Sequence, residues 1–280
     1  MPFESLEKRP SISEKKDESR EKLETILGKL AEGLGKLGFP IDTECRIKPE
    51  VFSKIIPSEE IKRDLKYVGE MEEKFSAEDK SKEKKGELLE MYVTLLLNKY
   101  LNKEKFAIVR TSRYDDIKNG ADHLFLDIKT GEVVGIFDVV SAVGDERHRE
   151  KTQNFFENNL GKLLGGTEIK YGIGIKKEDG KILFEPRSYT KTPLPLFCLA
   201  LSPEELETAI KKFNSPEKED REYERKMALY FLLCLQYQCE LLEKKELVLK
   251  PTLYEKVKHL KENLDPIVKK HQEDLRLRNF

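Results

Sequence analysis

The sequence contains no run of about 18 consecutive apolar residues, the length that a membrane-spanning helix needs. Its first residues, MPFESLEKRPSISEKKDESREK, lack the apolar stretch of a secretory signal. Its cysteines, at positions 45, 198, 234 and 239, form no CxxC pair, so neither a zinc knuckle nor a disulfide framework is indicated. These absences predict a cytoplasmic protein with free thiols and no membrane partner.

The sequence also has almost no net charge, because 52 basic residues nearly cancel 53 acidic ones. No global field therefore indicates a nucleic-acid partner, and any basic surface has to be local. Charged residues nevertheless make up 38% of the chain, which predicts long solvated helices. With 280 residues, the chain is long enough for one large domain or two ordinary ones.

Helical spacing dominates both ends of the chain. Residues 1–17 are polar and predict a disordered tail, whereas apolar residues at three- and four-residue intervals predict a helical extension over 18–83. The segment KSKEKK near the end of that extension is typical of a basic linker. Residues 201–280 show helical spacing again and contain the helix-start sequence SPEE, so they predict a helical C-terminal region.

The middle of the chain combines one apolar helix with four short β-rich runs. The helix GELLEMYVTLLLNKYLN is apolar on nearly every face, so it should be buried; its narrow polar stripe consists of Glu87, Glu90, Thr94 and Asn98. The runs KFAIVRTS, ADHLFLDI, EVVGIFDVVSA and IKYGIGI have the composition of strands, and a helix-length segment separates the last two. This order predicts a mixed α/β core over 84–200.

Two of the predicted strands carry aspartates among apolar neighbours. Asp122 shares a strand face with Leu124, and Asp138 lies in the apolar run GIFDVV. An unpaired buried carboxylate is costly, so a metal ion, a hydrogen-bond donor or a solvent-filled cleft is required beside it. Mg²⁺ takes oxygen ligands of this kind, and Glu87 or Glu90 on the buried helix could supply a further carboxylate.

This pattern resembles the PD-(D/E)XK nuclease superfamily, in which a helix bearing Glu precedes a hairpin that bears Asp and then the D/E-x-K motif. GELLE resembles the leading helix, NGAD the turn before the first acid, GIFDVV the strand with the second acid, and IKYGIGI the next core strand. The resemblance spans about Gly86 to Ile175. It implies a restriction-endonuclease-like mixed β-sheet core flanked by helices, with helical extensions at both ends.

The resemblance also implies site residues and a cofactor. Asp122 and Asp138 would be catalytic metal ligands for Mg²⁺ or Mn²⁺, with Glu90 or Glu87 as an accessory ligand. Gln153 falls where some RecB-like members of the superfamily place a glutamine on the following helix. The basic segments KSKEKK and RHREK could then contact flanking phosphates without reading base sequence.

One position departs from the superfamily pattern. Val140 occupies the place of the motif lysine, and a valine cannot stabilise the charge that develops on a phosphate. Either catalysis is lost or another lysine serves. Lys170 in IKYG and Lys151 on the following helix are the candidates for a migrated catalytic lysine.

The function implied by the resemblance is metal-dependent phosphodiester hydrolysis of nucleic acid, with DNA favoured over RNA by the resemblance alone. A catalytically degenerate nuclease-like fold that binds nucleic acid or protein is one alternative, and a helical interaction protein is another. Structural interpretations of the acids also stay open. Asp122 could form a turn, Asp138 could be a hydrogen-bonded structural acid, and Glu87 and Glu90 could favour the start of a helix.

Overall fold

The structure, a computed structural model, describes residues 12–78, 80–101, 105–141, 161–178, 181–244 and 249–276. Only the backbone is described at 12–17, 76–78, 80–84, 175–178 and 181–182. Lys151, Gln153 and the segment RHREK lie outside the described residues. Within the described ranges, no helix is both long and apolar enough to cross a membrane.

Three long helices form the N-terminal part: α1 (Ile12–Lys36), α2 (Ser58–Glu78) and α3 (Lys80–Tyr100), with a 3-10 helix (Pro49–Lys54) after the first. The first of them begins inside the segment that was expected to be a disordered tail. The segment KSKEKK belongs to α3 and is not a linker. Lys and Glu are good helix formers, so the helical run GELLEMY extends backwards through them.

The centre is a mixed four-stranded sheet, which confirms the predicted α/β class. Its strands are β1 (Phe106–Arg110), β2 (His123–Asp127), β3 (Val133–Ser141) and β6 (Leu196–Leu201), in the order β1-β2-β3-β6. The first three pair antiparallel, and β3 pairs with β6 in parallel. The predicted hairpin is therefore confirmed, because β2 and β3 are its two arms.

The fourth core strand is not the predicted one. The run IKYGIGI leads into β4 (Gly172–Glu178), which pairs with β5 (Lys181–Arg187) in a separate two-stranded sheet. The core strand is instead β6, whose sequence LFCLAL is apolar throughout. A parallel strand buried on both faces requires such a continuous apolar run, whereas the sequence of β4 ends in Lys176, Lys177 and Glu178.

A short helix that the sequence reading missed, α4 (Arg113–Asn119), lies between β1 and β2. The Oγ of Ser112 accepts the N–H of Asp115 at 3.1 Å, which caps the start of this helix. Gly120 ends it in the left-handed region with φ of 63°, a conformation that glycine adopts without steric cost. The segment NGAD is thus a helix end followed directly by Asp122.

Both edges of the sheet are closed by side-chain amides from helices. On β1, the Asn98 amide of α3 donates to the carbonyl of Ile108 at 2.8 Å, and its oxygen accepts the Ile108 N–H at 3.1 Å. On β6, Gln238 donates to the carbonyl of Cys198 at 2.7 Å and accepts its N–H at 2.8 Å. These contacts satisfy backbone groups that an edge strand otherwise leaves unpaired.

Three helices follow β6: α5 (Pro203–Lys212), α6 (Lys218–Glu243) and α7 (Pro251–Arg276). Ser202 and Glu205 form a reciprocal capping box at the start of α5, as the SPEE sequence predicts. Gln238 lies on α6, which packs on α7 and on β6, while α7 also packs against β3. Helices therefore flank the sheet on the C-terminal side of the chain as well.

We expect Gln238→Leu to lower the free energy of unfolding by about 2–4 kcal/mol, because it leaves a buried N–H and a buried carbonyl of Cys198 without partners. Urea unfolding at neutral pH measures this change. Gln236→Leu on the same helix is the matched control, since Gln236 is half-buried and its described hydrogen bond is to the Asp265 side chain. Equal losses in the two variants would contradict the proposed role of Gln238 at the sheet edge.

Candidate metal centre

Asp122 immediately precedes β2 and Asp138 lies on β3, so the hairpin brings the two aspartates close together. The hairpin register pairs His123 with Phe137, and one further step pairs the two aspartates. The Asp122 N–H donates to the Phe137 carbonyl at 3.2 Å, and Asp122 Oδ2 accepts the Val139 N–H at 2.7 Å. The register follows from the alternation of apolar side chains, so the sheet itself brings these two acids together.

Burial and mutual repulsion prevent both aspartates from ionising easily. Burial raises the pKa of Asp122 well above its ordinary value, and the charge of Asp138 raises it further. Burial also raises the pKa of Asp138 to about 6, and a hydrogen bond with Asp122 opposes this rise. Two like charges this close titrate as a unit, so the pair retains a proton near neutral pH unless a cation binds.

Glu90 on α3 is neutralised by two arginines. Its Oε2 accepts Arg46 Nη2 at 2.7 Å and Arg110 Nη2 at 2.8 Å, and all three side chains are buried. Burial raises the pKa of Glu90, but the charges of Arg46 and Arg110 outweigh it and lower the pKa to about 2. Glu90 is therefore a carboxylate throughout the neutral range, in an ion pair that joins α3 to β1.

Asp116 on α4 belongs to the same network. Its Oδ2 accepts Arg113 Nη1 at 2.8 Å and Arg46 Nη1 at 3.3 Å. Carboxylate oxygens of Glu90, Asp116 and Asp122 all lie within 4.8 Å of one another. This closest group contains Asp116 in place of Asp138, which faces Asp122 from the next strand. The structure thus brings four acids together, whereas the sequence predicted three. The additional acid is Asp116.

The carboxylate oxygens fit a hard divalent cation. The described hydrogen bonds use one oxygen of each member of the closest group: Oε2 of Glu90, Oδ2 of Asp116 and Oδ2 of Asp122. Mg²⁺ and Mn²⁺ are bound by such oxygens together with water. The arginine contacts offset the charge of Glu90 and Asp116. Asp122 and Asp138 would therefore supply the negative charge that attracts the cation.

The other predicted site residues lie in different environments. Lys170 directs its ammonium to α2, where it pairs with Glu60 at 2.7 Å and Asp64 at 2.5 Å, and not to the acidic cluster. Glu87 is half-buried and pairs with Arg20 of α1 at 2.8 Å. Val140 is half-buried against the apolar core, so its position offers no cation. For Lys151 and Gln153 no placement is described.

Lys162, which the sequence did not indicate as a site residue, lies near the aspartate pair. The Lys162 ammonium donates to the carbonyl of Asn119 at 2.9 Å, just before the Gly120 turn that leads to Asp122. Its positive charge acts on Asp138 and lowers the pKa of that carboxyl, against the larger effect of burial. Lys162 is exposed, so its side chain can move towards a ligand at the acidic cluster.

Two further residues near the site have structural roles. Asp115 is fully buried and accepts the N–H groups of Lys170 and Tyr171 at 2.8 and 3.0 Å, so it fastens α4 to the start of β4. His123 is buried against the Phe137 ring at 4.6 Å, and burial lowers its pKa to about 3. It therefore adds no positive charge to the site.

We expect Asp138→Asn to stabilise the metal-free protein at pH 8 by about 1–3 kcal/mol and to have little effect at about pH 3, below both pKa values. Folding raises the pKa of this carboxyl from 3.8 to about 6, so native Asp138 costs stability as the pH rises through that window. Urea unfolding in EDTA at both pH values measures the difference. If the difference in free energy of unfolding between the variant and the wild type did not change with pH, the raised pKa of Asp138 would be contradicted.

We expect Glu90→Gln to destabilise the protein by up to about 3–5 kcal/mol, because it leaves the buried Arg46 and Arg110 with only their longer contacts to Asp116 and Glu44, both at 3.3 Å. Glu87→Gln, one turn earlier on α3, is the matched control and should cost less than about 1 kcal/mol, since its ion pair is only half-buried. Denaturant unfolding in EDTA compares the two. The lowered pKa of Glu90 also predicts that the wild type loses this contribution as the pH falls from about 4.5 towards 2.

The chain was also compared with known proteins. No protein-family model matches it, and no match is found among curated proteins or among solved structures. Its function therefore has to be argued from the geometry of the acidic cluster and from the surrounding charges.

Proposed function

We propose that the chain hydrolyses phosphodiester bonds of nucleic acid at a metal centre formed by Asp122 and Asp138, with Glu90 and Asp116 as neighbouring carboxylates. One observation carries this proposal: Asp122, just before β2, and Asp138 on β3 interact closely and burial raises the pKa of both, whereas Glu90 and Asp116 are each paired with arginines. A buried acid pair of this kind is stabilised most directly by a divalent cation.

The proposal includes a restriction-endonuclease-like core within the mixed sheet. It is supported by the order of elements, since α3 with Glu90 precedes the β1-β2-β3 meander and β6 then pairs with β3 in parallel. That order follows the resemblance to the PD-(D/E)XK superfamily, with α4 and the β4-β5 hairpin as additions. DNA is proposed over RNA on the resemblance alone.

The chain's own groups would have separate tasks at this centre. Asp122 and Asp138 hold the cation on the sheet, and the Glu90–arginine pairs keep α3 and β1 in fixed positions around it. A bound Mg²⁺ or Mn²⁺ would supply the Lewis acid that polarises the phosphate and promotes attack by water. The Lys162 ammonium, 2.9 Å from the Asn119 carbonyl, takes the place of the motif lysine and stabilises charge on the phosphate oxygens.

A catalytically degenerate fold that binds nucleic acid is the second candidate. The observation in its favour is that three arginines already contact the acids of the cluster, while Val140 stands at the motif lysine position. In this alternative the arginines satisfy Glu90 and Asp116, and the aspartate pair keeps a proton in place of a metal ion. Metal binding and cleavage together distinguish the two functions.

We expect wild-type protein to bind Mn²⁺ and to cleave duplex, single-stranded or branched DNA in the presence of Mg²⁺ or Mn²⁺. Asp138→Asn and Asp122→Asn should abolish both activities while the circular dichroism spectrum is unchanged. Calorimetric Mn²⁺ titration and a gel assay on labelled substrates, RNA included, measure them. Metal binding without cleavage of any substrate would favour the second candidate, and absence of both would leave only a structural role for the cluster.

We expect Lys162→Met to lower cleavage by about 10²- to 10³-fold while Mn²⁺ affinity stays within about threefold of wild type, because a catalytic ammonium acts on the transition state and not on the metal. Lys118→Met is the matched control, since Lys118 lies on α4 over the Tyr67 ring. Lys170→Met and Lys151→Met complete the set. Loss of cleavage in one of these, with full activity in Lys162→Met, would reassign the catalytic lysine.

A further inference from the structure

A cavity of about 580 Å³ lies at the end of β3 that is remote from Asp138. Its walls are the first residues of β3, the segment after β5 and the first turns of α7, and they include Val133, Arg187, Thr252, Lys256 and His259. Five residues of strand separate Val133 from Asp138, which is about 16 Å at roughly 3.3 Å per residue. The cavity is therefore distinct from the candidate metal centre, and its role does not depend on the function proposed for that centre.

The glycines of the GIGI sequence in β4 make room for one wall of this cavity. A Cβ on Gly174 would lie 2.6 Å from Cδ of Arg187, and a Cβ on Gly172 would lie 2.7 Å from the Tyr189 ring. The two glycines alternate along the strand, so they clear a single face on which both side chains lie. The Arg187 guanidinium is then held over the Tyr189 ring, 5.4 Å from its centre.

The cations of the cavity have no bonded acid among the described residues. Lys256 is half-buried and donates to the Val133 carbonyl at 2.8 Å, which leaves two of its three protons without a described acceptor. Burial lowers the pKa of Lys256, the charge of Glu132 opposes this effect, and the charge of Arg187 adds to it. Arg187 is exposed and Lys256 is half-buried; the charge of Glu132 acts on Lys256, but neither cation forms an ion pair with a carboxylate of the described residues.

The two glutamates that line the cavity equal its two cations in number but form no described ion pair with them. Glu132 and Glu255 are exposed at its rim, and neither forms a described ion pair with Arg187 or Lys256. His259 is bonded to Asp127 at 2.8 Å, so the Asp127 carboxylate is already in use. The first turn of α7 contributes Thr252 to the wall, and the positive end of this 26-residue helix adds to the attraction for an anion.

We propose that this cavity binds a small molecule through a terminal oxyanion, a phosphate or a carboxylate, held between Arg187 and Lys256. The guanidinium offers a flat pair of donors, and the ammonium offers a compact charge on the other side. The cavity volume is within the range of sites for small ligands and exceeds that of a phosphate ion. The oxyanion therefore anchors a larger molecule, whose body lies against Val134 and Thr192.

Titration of the full chain with inorganic phosphate and with acetate, followed by calorimetry, tests the proposal. We expect one-to-one binding of at least one anion, weakened tenfold or more by Arg187→Gln and by Lys256→Gln and restored in part by Arg187→Lys. Lys258→Gln, an exposed neighbour on α7, should bind as the wild type does. The tighter of the two anions assigns the ligand class.

Gly174→Ala tests the positioning of Arg187 without removing any charge, because the new methyl group displaces the arginine stem. We expect it to weaken anion binding about as much as Arg187→Gln, with unchanged urea unfolding. Gly28→Ala is the matched control, since nothing lies within 4 Å of a Cβ at that position. The proposal would be overturned if neither anion bound, or if Arg187→Gln and Lys256→Gln both bound the anions as tightly as the wild type does. It would also be overturned if an unphosphorylated oligothymidine bound and neither anion did. Asp138→Asn should leave anion binding unchanged.

Discussion

The buried ion pair of Glu90 with Arg46 and Arg110 is the constraint on which the centre of this protein depends. Its three side chains come from α3, from the loop before the 3-10 helix and from β1, and none of them could be buried without the other two. The pairing fixes the position of α3 on the sheet edge. Arg46 also reaches Asp116, so α4 is tied to the same network.

The network separates two kinds of acid that share one cluster. Glu90 and Asp116 are bonded to guanidinium groups, which lowers the pKa of Glu90 to about 2. Asp122 accepts the Val139 N–H and interacts with Asp138, the charge of Lys162 acts on Asp138, and burial raises the pKa of both aspartates. A cation that enters the cluster would therefore interact most strongly with the aspartate pair, because its negative charge is not already offset.

Strand β3 connects the two sites of this protein. The residue pair Asp138 and Val139 contributes to the acidic cluster near one end, while Val133 lies in the wall of the cavity at the other. The first site gathers four acids, whereas the second holds Arg187 and Lys256 beside Glu132 and Glu255. Each is completed by elements that join the sheet from outside it: α3 and α4 at the first, α7 and the β4-β5 hairpin at the second. The separation along β3 keeps the two charge systems apart by more than a Debye length at physiological salt, about 8 Å.

Much of the fold could be read from local sequence pattern. The period-two alternation of ADHLFLDI and EVVGIFDVV predicted the hairpin, and with it the approach of Asp122 to Asp138, because antiparallel register is a local property. The apolar helix with its polar stripe was correctly expected to be buried, since helical periodicity needs only a short window. Capping sequences such as SPEE marked the start of α5 for the same reason.

Partners that come from distant parts of the chain could not be predicted. Arg46 and Glu90 are 44 residues apart, and no sequence spacing relates them. The role of Asp116 depends on α4, whose seven residues are too few for a periodic signal. The choice between β4 and β6 as the fourth core strand depended on which run could be buried on both faces. Local pattern determined which acids face each other, whereas tertiary structure decided which acids are neutralised, because a buried charge takes whatever counter-charge the fold brings to it.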